Sequence, residues 1–168
     1  MLQMSAKKQL HKVLLSVGCN IDAAVKISFA VELLKKAFPV VRVSSLYESE
    51  AVGVSGNNFL NIVVGIETEL NIPDLFKFVR NVESQAGRDR SEGILASFGL
   101  DIDILTYDDC VGEFDGLRLP RKNFENFAYV LLPLSELEPD LLHPKLNKTY
   151  LQLWREFDKR DQRIWLVK

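Results

Sequence analysis

The chain has 168 residues, the size of one compact domain that can bury roughly two thirds of its unfolded surface. With 23 acidic against 21 basic side chains and a formal net charge of -2, it exerts no whole-molecule attraction on nucleic acid or an anionic membrane, so any anionic ligand must be held by a local cluster. Cys19 and Cys110 are too few and too widely separated for a disulfide framework or a CxxC zinc pattern. No apolar h-region follows the lysines of the opening MLQMSAKKQLHK, and no later stretch approaches the ~20 consecutive apolar residues of a membrane span. A cytoplasmic protein with neither nucleic-acid nor membrane partners is expected.

In chain order, VLLSV at residues 13–17 is a short apolar run ending at Gly18, and Asp22 precedes a stretch in which Ala24, Ile27, Val31 and Leu34 recur at helical spacing. Pro39 stops that helix, and VVRVSSLYES, rich in β-branched residues, predicts a second strand running to about Glu48. The aperiodic EAVGVSGNN reads as a loop of the kind that closes over ligands. In NFLNIVVGIETE a third strand puts Leu60, Ile62, Val64 and Ile66 on a core face, and Phe59, Asn61, Val63 and Gly65 on the other. A helix is predicted from Pro73 to Ala86, with Asn71 as its N-cap and Gly87 just past its end.

After the irregular GRDRSEGILASFG, a strand of period two places Leu100, Ile102 and Ile104 on one side and Asp101, Asp103 and Leu105 on the other. A hairpin around Gly112 to Pro120, a helix through NFENFAYVLLPLSEL and a last helix around KTYLQLWREFD complete the chain. This order approximates βαββαβ, the ferredoxin-like plan of an antiparallel sheet with helices on one face and added C-terminal helices, which makes the fold class α+β. Residues 1–168 are expected to form one domain, with an N-terminal arm over 1–11 and a C-terminal extension over 159–168.

Asp101 and Asp103, at i and i+2 on a strand, present two carboxylates on one face with Cα atoms roughly 6.5 Å apart, a spacing that suits oxygen-seeking cations. Magnesium ions clamp attacking and leaving oxygens in phosphoryl chemistry. Read by pattern alone, the pair is equally an exposed strand face with two solvated aspartates. His11 and His143 have no nucleophile or metal partner at motif spacing and are expected to be structural or solvated.

The motifs GRDR, LDIDIL, LRLP and LLPLSELEPDLLHP, preceded by VGCN, SLYESEAVG and NFLNIVVGIET, resemble the 6-hydroxymethyl-7,8-dihydropterin pyrophosphokinase family over roughly residues 13–157. The resemblance implies two magnesium ions held by Asp101 and Asp103, with ATP as co-substrate and a reduced pterin as acceptor. It implies a pterin flanked by Phe59 and Tyr129, read along its edge by Asn61 and contacted by the loop at Val52 and Gly53. Glu83 and Arg90 match ATP-binding positions and Arg88 a catalytic one; Arg121 and Lys122 stand where the family has His and Tyr near the nucleotide. The chain departs from the family at Leu95, Phe98 and Phe127, the last two replacing arginines.

Two readings follow: a pyrophosphokinase that transfers diphosphate from ATP to the pterin, and a weakened homologue that binds pterin or nucleotide without efficient transfer. A ferredoxin-like interaction module is the third, opposed by the lack of a basic stripe or RNP aromatics. A monomer is expected ahead of an oligomer, and Trp165 and Leu166, in a tail that runs past the family's usual end, are expected to dock on the domain or on a second subunit.

Overall fold

A computed structural model describes residues 9–52, 56–87 and 99–168. β1 (His11–Cys19) leads into α1 (Ala23–Ala37), followed by β2 (Val40–Val43), β3 (Tyr47–Ser49) and the long β4 (Phe59–Thr68). α2 (Ile72–Gln85) precedes β5 (Asp101–Tyr107), the hairpin β6 (Gly112–Phe114) and β7 (Leu117–Leu119), and a 3-10 turn at Phe124–Asn126. α3 (Ala128–Leu137), α4 (Tyr150–Glu156) and β8 (Ile164–Leu166) end the described chain.

The main sheet runs β5-β1-β4-β3-β8, with β2 also on β4, which is the ferredoxin-like order with β2 and β3 sharing one strand position. Every pairing in it is antiparallel. Strand alternation sends Val13, Leu15 and Val17 of β1, Ile62, Val64 and Ile66 of β4, and Ile102 and Ile104 of β5 to one face, against Ile27, Ala30 and Leu34 of α1 and Leu75, Val79 and Val82 of α2. Leu15 and Leu34 are fully buried, each contributing roughly 1.5–3 kcal/mol of transfer free energy. Asn71 caps α2 as its sequence predicts, its side chain accepting the Asp74 N–H at 2.9 Å, and Gly87 follows the helix at φ +85°.

α3 and α4 cover the opposite face through a second cluster of Leu14, Val63, Leu105, Phe124, Leu131, Leu134 and Tyr150. On each of β1, β4 and β5 this cover stops at one residue and leaves its same-face neighbours uncovered: Ser16 and Gly18 beyond Leu14, Asn61 and Phe59 beyond Val63, Asp103 and Asp101 beyond Leu105. That uncovered patch is the floor of a cavity.

Two elements differ from the sequence-based expectation. The predicted second strand is broken, because Val43 pairs with Val64 but Tyr47 with Asn61, so the three residues Ser44–Leu46 face only Ile62 and Val63. The bulge is held by Ser44, whose N–H donates to Val63 O at 2.9 Å and whose Oγ accepts the Val63 N–H at 2.9 Å. The tail, expected only to dock, forms a strand on β3. Both histidines have structural partners: His11 Nδ1 lies 2.7 Å from Asp108 Oδ2, and His143, 4% exposed, stacks on Phe124. Among the described residues no helix is long and apolar enough to cross a membrane.

Candidate active site

A cavity of about 200 Å³ opens on this floor, lined by residues of β1, β3, β4, β5 and the segment around Arg121 to Tyr129. The central strand sets its geometry. In register, Gly18 of β1 lies between Asn61 of β4 and Asp101 of β5, and Ser16 lies opposite Asp103. With no side chain at Gly18, the floor stays open between the amide and the first carboxylate. The fit is close, since a Cβ at Gly18 would sit 3.2 Å from Asn61 Oδ1.

Asn61 is 4% exposed, and its Nδ2 donates to Ser49 Oγ at 3.0 Å and to Phe59 O at 3.2 Å. These bonds fix the amide's plane. Phe59, Val52, Glu50 and Ser49 form the wall on this side. The far wall is aromatic: Phe127 and Tyr129 lie with ring centroids 5.3 Å apart at 32°. Burial pushes the Tyr129 phenol up, and the nearby Asp103 carboxylate pushes it further, so it remains a neutral hydroxyl.

At the opposite end, Asp101 and Asp103 both line the cavity, as their i, i+2 spacing predicts. Arg121 Nη1 lies 2.7 Å from Asp103 Oδ1, and that carboxylate is only 15% exposed. The Arg121 N–H also donates to Leu105 O at 2.8 Å, which fastens its segment to β5. Two carboxylates on one strand face, opening into a cavity, are a donor set that fits magnesium, an ion held by one or two carboxylates together with substrate phosphates and water. Among the described residues no group of three or more His, Cys, Asp or Glu could form a self-sufficient metal cage.

The remaining sequence candidates are distributed as follows. Val52 lines the cavity; Gly53, Arg88 and Arg90, together with Leu95 and Phe98, lie outside the described residues. Lys122 is exposed beside Arg121 and is not part of the lining. Glu83, expected at ATP, lies behind β5 at 1% exposure, with Oε1 accepting the Ile102 N–H at 2.8 Å and Arg80 Nη1 donating to its two oxygens at 2.8 and 3.1 Å. Phe127, identified in the sequence as a missing arginine, is a lining residue. Gly18 and Ser49 gain their importance through register: VGCN and SLYES name the residues, but only the pairing of β1 and β3 with β4 brings both to Asn61.

A ferredoxin-like sheet here brings a carboxylate pair, a guanidinium and an aromatic, amide-edged slot into one cavity, the groups that a group-transfer enzyme needs to handle an anionic donor beside a flat ring. Comparison with known proteins makes this specific. The model of the 7,8-dihydro-6-hydroxymethylpterin-pyrophosphokinase family matches residues 14–139, and the chain belongs to that family. It is 33% identical over 138 residues to the Aquifex aeolicus 2-amino-4-hydroxy-6-hydroxymethyldihydropteridine pyrophosphokinase, covering 81% of this chain and 86% of that one. It is 33% identical over 161 residues to a Schizosaccharomyces pombe folic acid synthesis protein, covering 87% of this chain but only 22% of that longer one. The crystal structure of wild-type HPPK-DHPS from Plasmodium falciparum with pteroate superposes at a TM-score of 0.70 with 14% identity, over 92% of this chain and 46% of that one, a likeness of fold.

Proposed function

We propose that the protein transfers the β,γ-diphosphate of ATP to 6-hydroxymethyl-7,8-dihydropterin, a step of folate synthesis. The hydroxymethyl oxygen attacks the β-phosphorus, the bond from that phosphorus to the α,β-bridging oxygen breaks, AMP leaves with the bond's electrons, and the hydroxyl proton is released. The observation that carries the reading is the juxtaposition, across Gly18, of the Phe59–Asn61–Tyr129 slot with the Asp101–Asp103–Arg121 cluster.

In this reading Phe59 and Tyr129 flank the pterin and Asn61 meets its edge, with the loop at Val52 and Gly53 closing the near side. Asp101 and Asp103 hold magnesium, two ions in the full complex, and this metal when bound neutralises triphosphate charge. Arg121 is now paired with Asp103 and exchanges that carboxylate for a phosphate oxygen as the nucleotide enters. It thereby brings positive charge to the cavity beside Phe127, and Lys122, Arg88 and Arg90 supply further positive charge to the triphosphate. Glu83 acts from behind, fixing the β5 backbone between the two aspartates. Much of the acceleration comes from holding two substrates in line. A monomer working in the cytoplasm completes the proposal.

The test is AMP release from ATP by the purified protein with magnesium and 6-hydroxymethyl-7,8-dihydropterin, beside an Asp101→Ala, Asp103→Ala double variant. Pterin-dependent AMP that disappears in the variant supports the reading. No AMP from the wild type, with pterin still bound, overturns it in favour of a weakened homologue.

A further inference from the structure

We propose that the C-terminal segment from Gln162 to Val167 is a positioning device that fixes both walls of the pterin slot relative to each other, an inference that rests on the functional reading above. The near wall depends on β3, which is only three residues long and would by itself be a frayed edge on β4. β8 makes it an internal strand. Tyr47 pairs with Leu166, Glu48 with Trp165 and Ser49 with Ile164. The pairing extends beyond both ends of β3, through the Glu50 N–H to Arg163 O at 3.2 Å and the Val167 N–H to Leu46 O at 2.9 Å.

A side-chain link reinforces this backbone ladder. Glu48 Oε2 accepts the Trp165 indole N–H at 3.1 Å, while Glu48 Oε1 accepts Asn58 Nδ2 at 2.9 Å. Asn58 immediately precedes Phe59, so one carboxylate joins the tail to the residue that leads into the pterin-facing end of β4. Ser49, the partner of Asn61, lies inside the same ladder.

The far wall is gripped by a single side chain. Gln162 Oε1 accepts the Ala128 N–H at 2.8 Å, and Gln162 Nε2 donates to Asn126 O at 2.8 Å. These two contacts bracket Phe127 in the chain, and Tyr129 follows at once. A slot for a flat ring depends on the separation of its walls, and here the stretch between Gln162 and Trp165 sets that separation before the ring arrives. A preset gap removes ordering cost from pterin binding and leaves the carboxylate end untouched.

The test is steady-state kinetics and pterin binding with full-length Gln162→Ala, Trp165→Leu and the double variant. Trp165 is 40% exposed, so its replacement removes the indole bond without emptying the core. Each single variant is expected to raise the pterin KM and Kd about three- to tenfold, the size of one or two lost hydrogen bonds, and the double variant more. The ATP KM is expected to stay near wild type and the melting temperature to fall by no more than several degrees, whereas a general loss of structure would raise both KM values together. Unchanged pterin KM in the double variant of an active protein overturns this proposal alone, as does a parallel rise in both KM values. A wild type that neither turns over nor binds pterin overturns the functional reading and this inference together.

Discussion

At the β4 end of the cavity the buried amide is hydrogen-bonded within the sheet, whereas at the β5 end a carboxylate is paired with a half-exposed guanidinium. Asn61 is buried with its amide donating to Ser49 and Phe59, bonds already made before anything enters the slot. Asp103 is bonded to Arg121, whose side chain is 47% exposed and anchored by its backbone to β5. A neutral heterocycle is read best by groups fixed in advance, since every rotamer frozen on binding weakens affinity. A triphosphate with its metal carries so much charge that the site must balance its own charges while empty. The two ends therefore respond to substitution in different quantities: geometry at one, charge at the other.

The largest expected effect lies at the charged end. Asp101→Ala or Asp103→Ala should lower the AMP-forming rate by at least about a thousandfold, the scale attached to one charge-stabilising group in phosphoryl transfer, while pterin affinity stays within about twofold. AMP formation followed beside pterin fluorescence checks both halves. An equal loss of pterin binding would mean that the two ends are not separable.

Next comes the support behind β5. Glu83→Ala strands the Ile102 N–H and leaves Arg80 without its carboxylate, at a cost of about 2 kcal/mol, discounted because the Arg80 side chain is 30% exposed. Glu83→Gln keeps an acceptor and should lose about half as much. Urea unfolding gives the stability order, and the kinetics add a sharper point: in the Gln variant the rate falls while the pterin KM holds, as expected of a residue that aligns Asp101 and Asp103 through the strand between them.

At the neutral end, Gly18→Ala introduces a Cβ that would meet Asn61 Oδ1 at 3.2 Å, tight enough to displace the amide by a few tenths of an ångström. The pterin KM should rise roughly fivefold with little change in rate at saturation, a shift of about 1 kcal/mol in ground-state binding. A fall in rate at unchanged KM would assign Gly18 to the charged end instead.

These contrasts also explain what the sequence could convey. β4 and β5 were legible because period-two alternation of Val, Leu and Ile is a local property, β1 as a short apolar run ending at a glycine, and the aspartate pair because i, i+2 on a strand fixes a shared face without knowledge of the partners. The break between β2 and β3 was not legible, since it depends on Ser44 bonding across to Val63. β8 was hidden for the same reason: three residues ending in an exposed Leu166 carry no periodic signal, and their pairing with Tyr47–Ser49 spans most of the chain. Arg121 and Lys122 read alike, as two cations near the nucleotide. The structure separates them: Arg121 donates through its backbone to Leu105, pairs with Asp103 and lines the cavity, while Lys122 stays outside the lining.

The smallest expected effect lies away from both ends, in the packing beneath α3 and α4. His143 is 4% exposed against Phe124, and its Nδ1 accepts the Lys145 and Leu146 N–H groups at 3.1 and 3.2 Å. Burial pushes its pKa below the ordinary 6.5, with Glu125 at 3.8 Å resisting the shift. Between the folded and unfolded values the unfolded chain binds more protons, so this group's stabilisation is fully present above pH 6.5 and is lost as the pH falls through the folded value. One proton limits the slope to about 1.4 kcal/mol per pH unit. Urea midpoints between pH 7.5 and pH 5 should decline, and His143→Asn, which retains an acceptor but cannot be protonated in this range, should flatten the decline even if it is less stable throughout. Because His143 packs against Phe124 and Tyr150 and is not part of the cavity lining, the pterin KM should change little over the same interval while the chain remains folded; a KM that tracked the stability loss would mean that the slot loosens before the domain does.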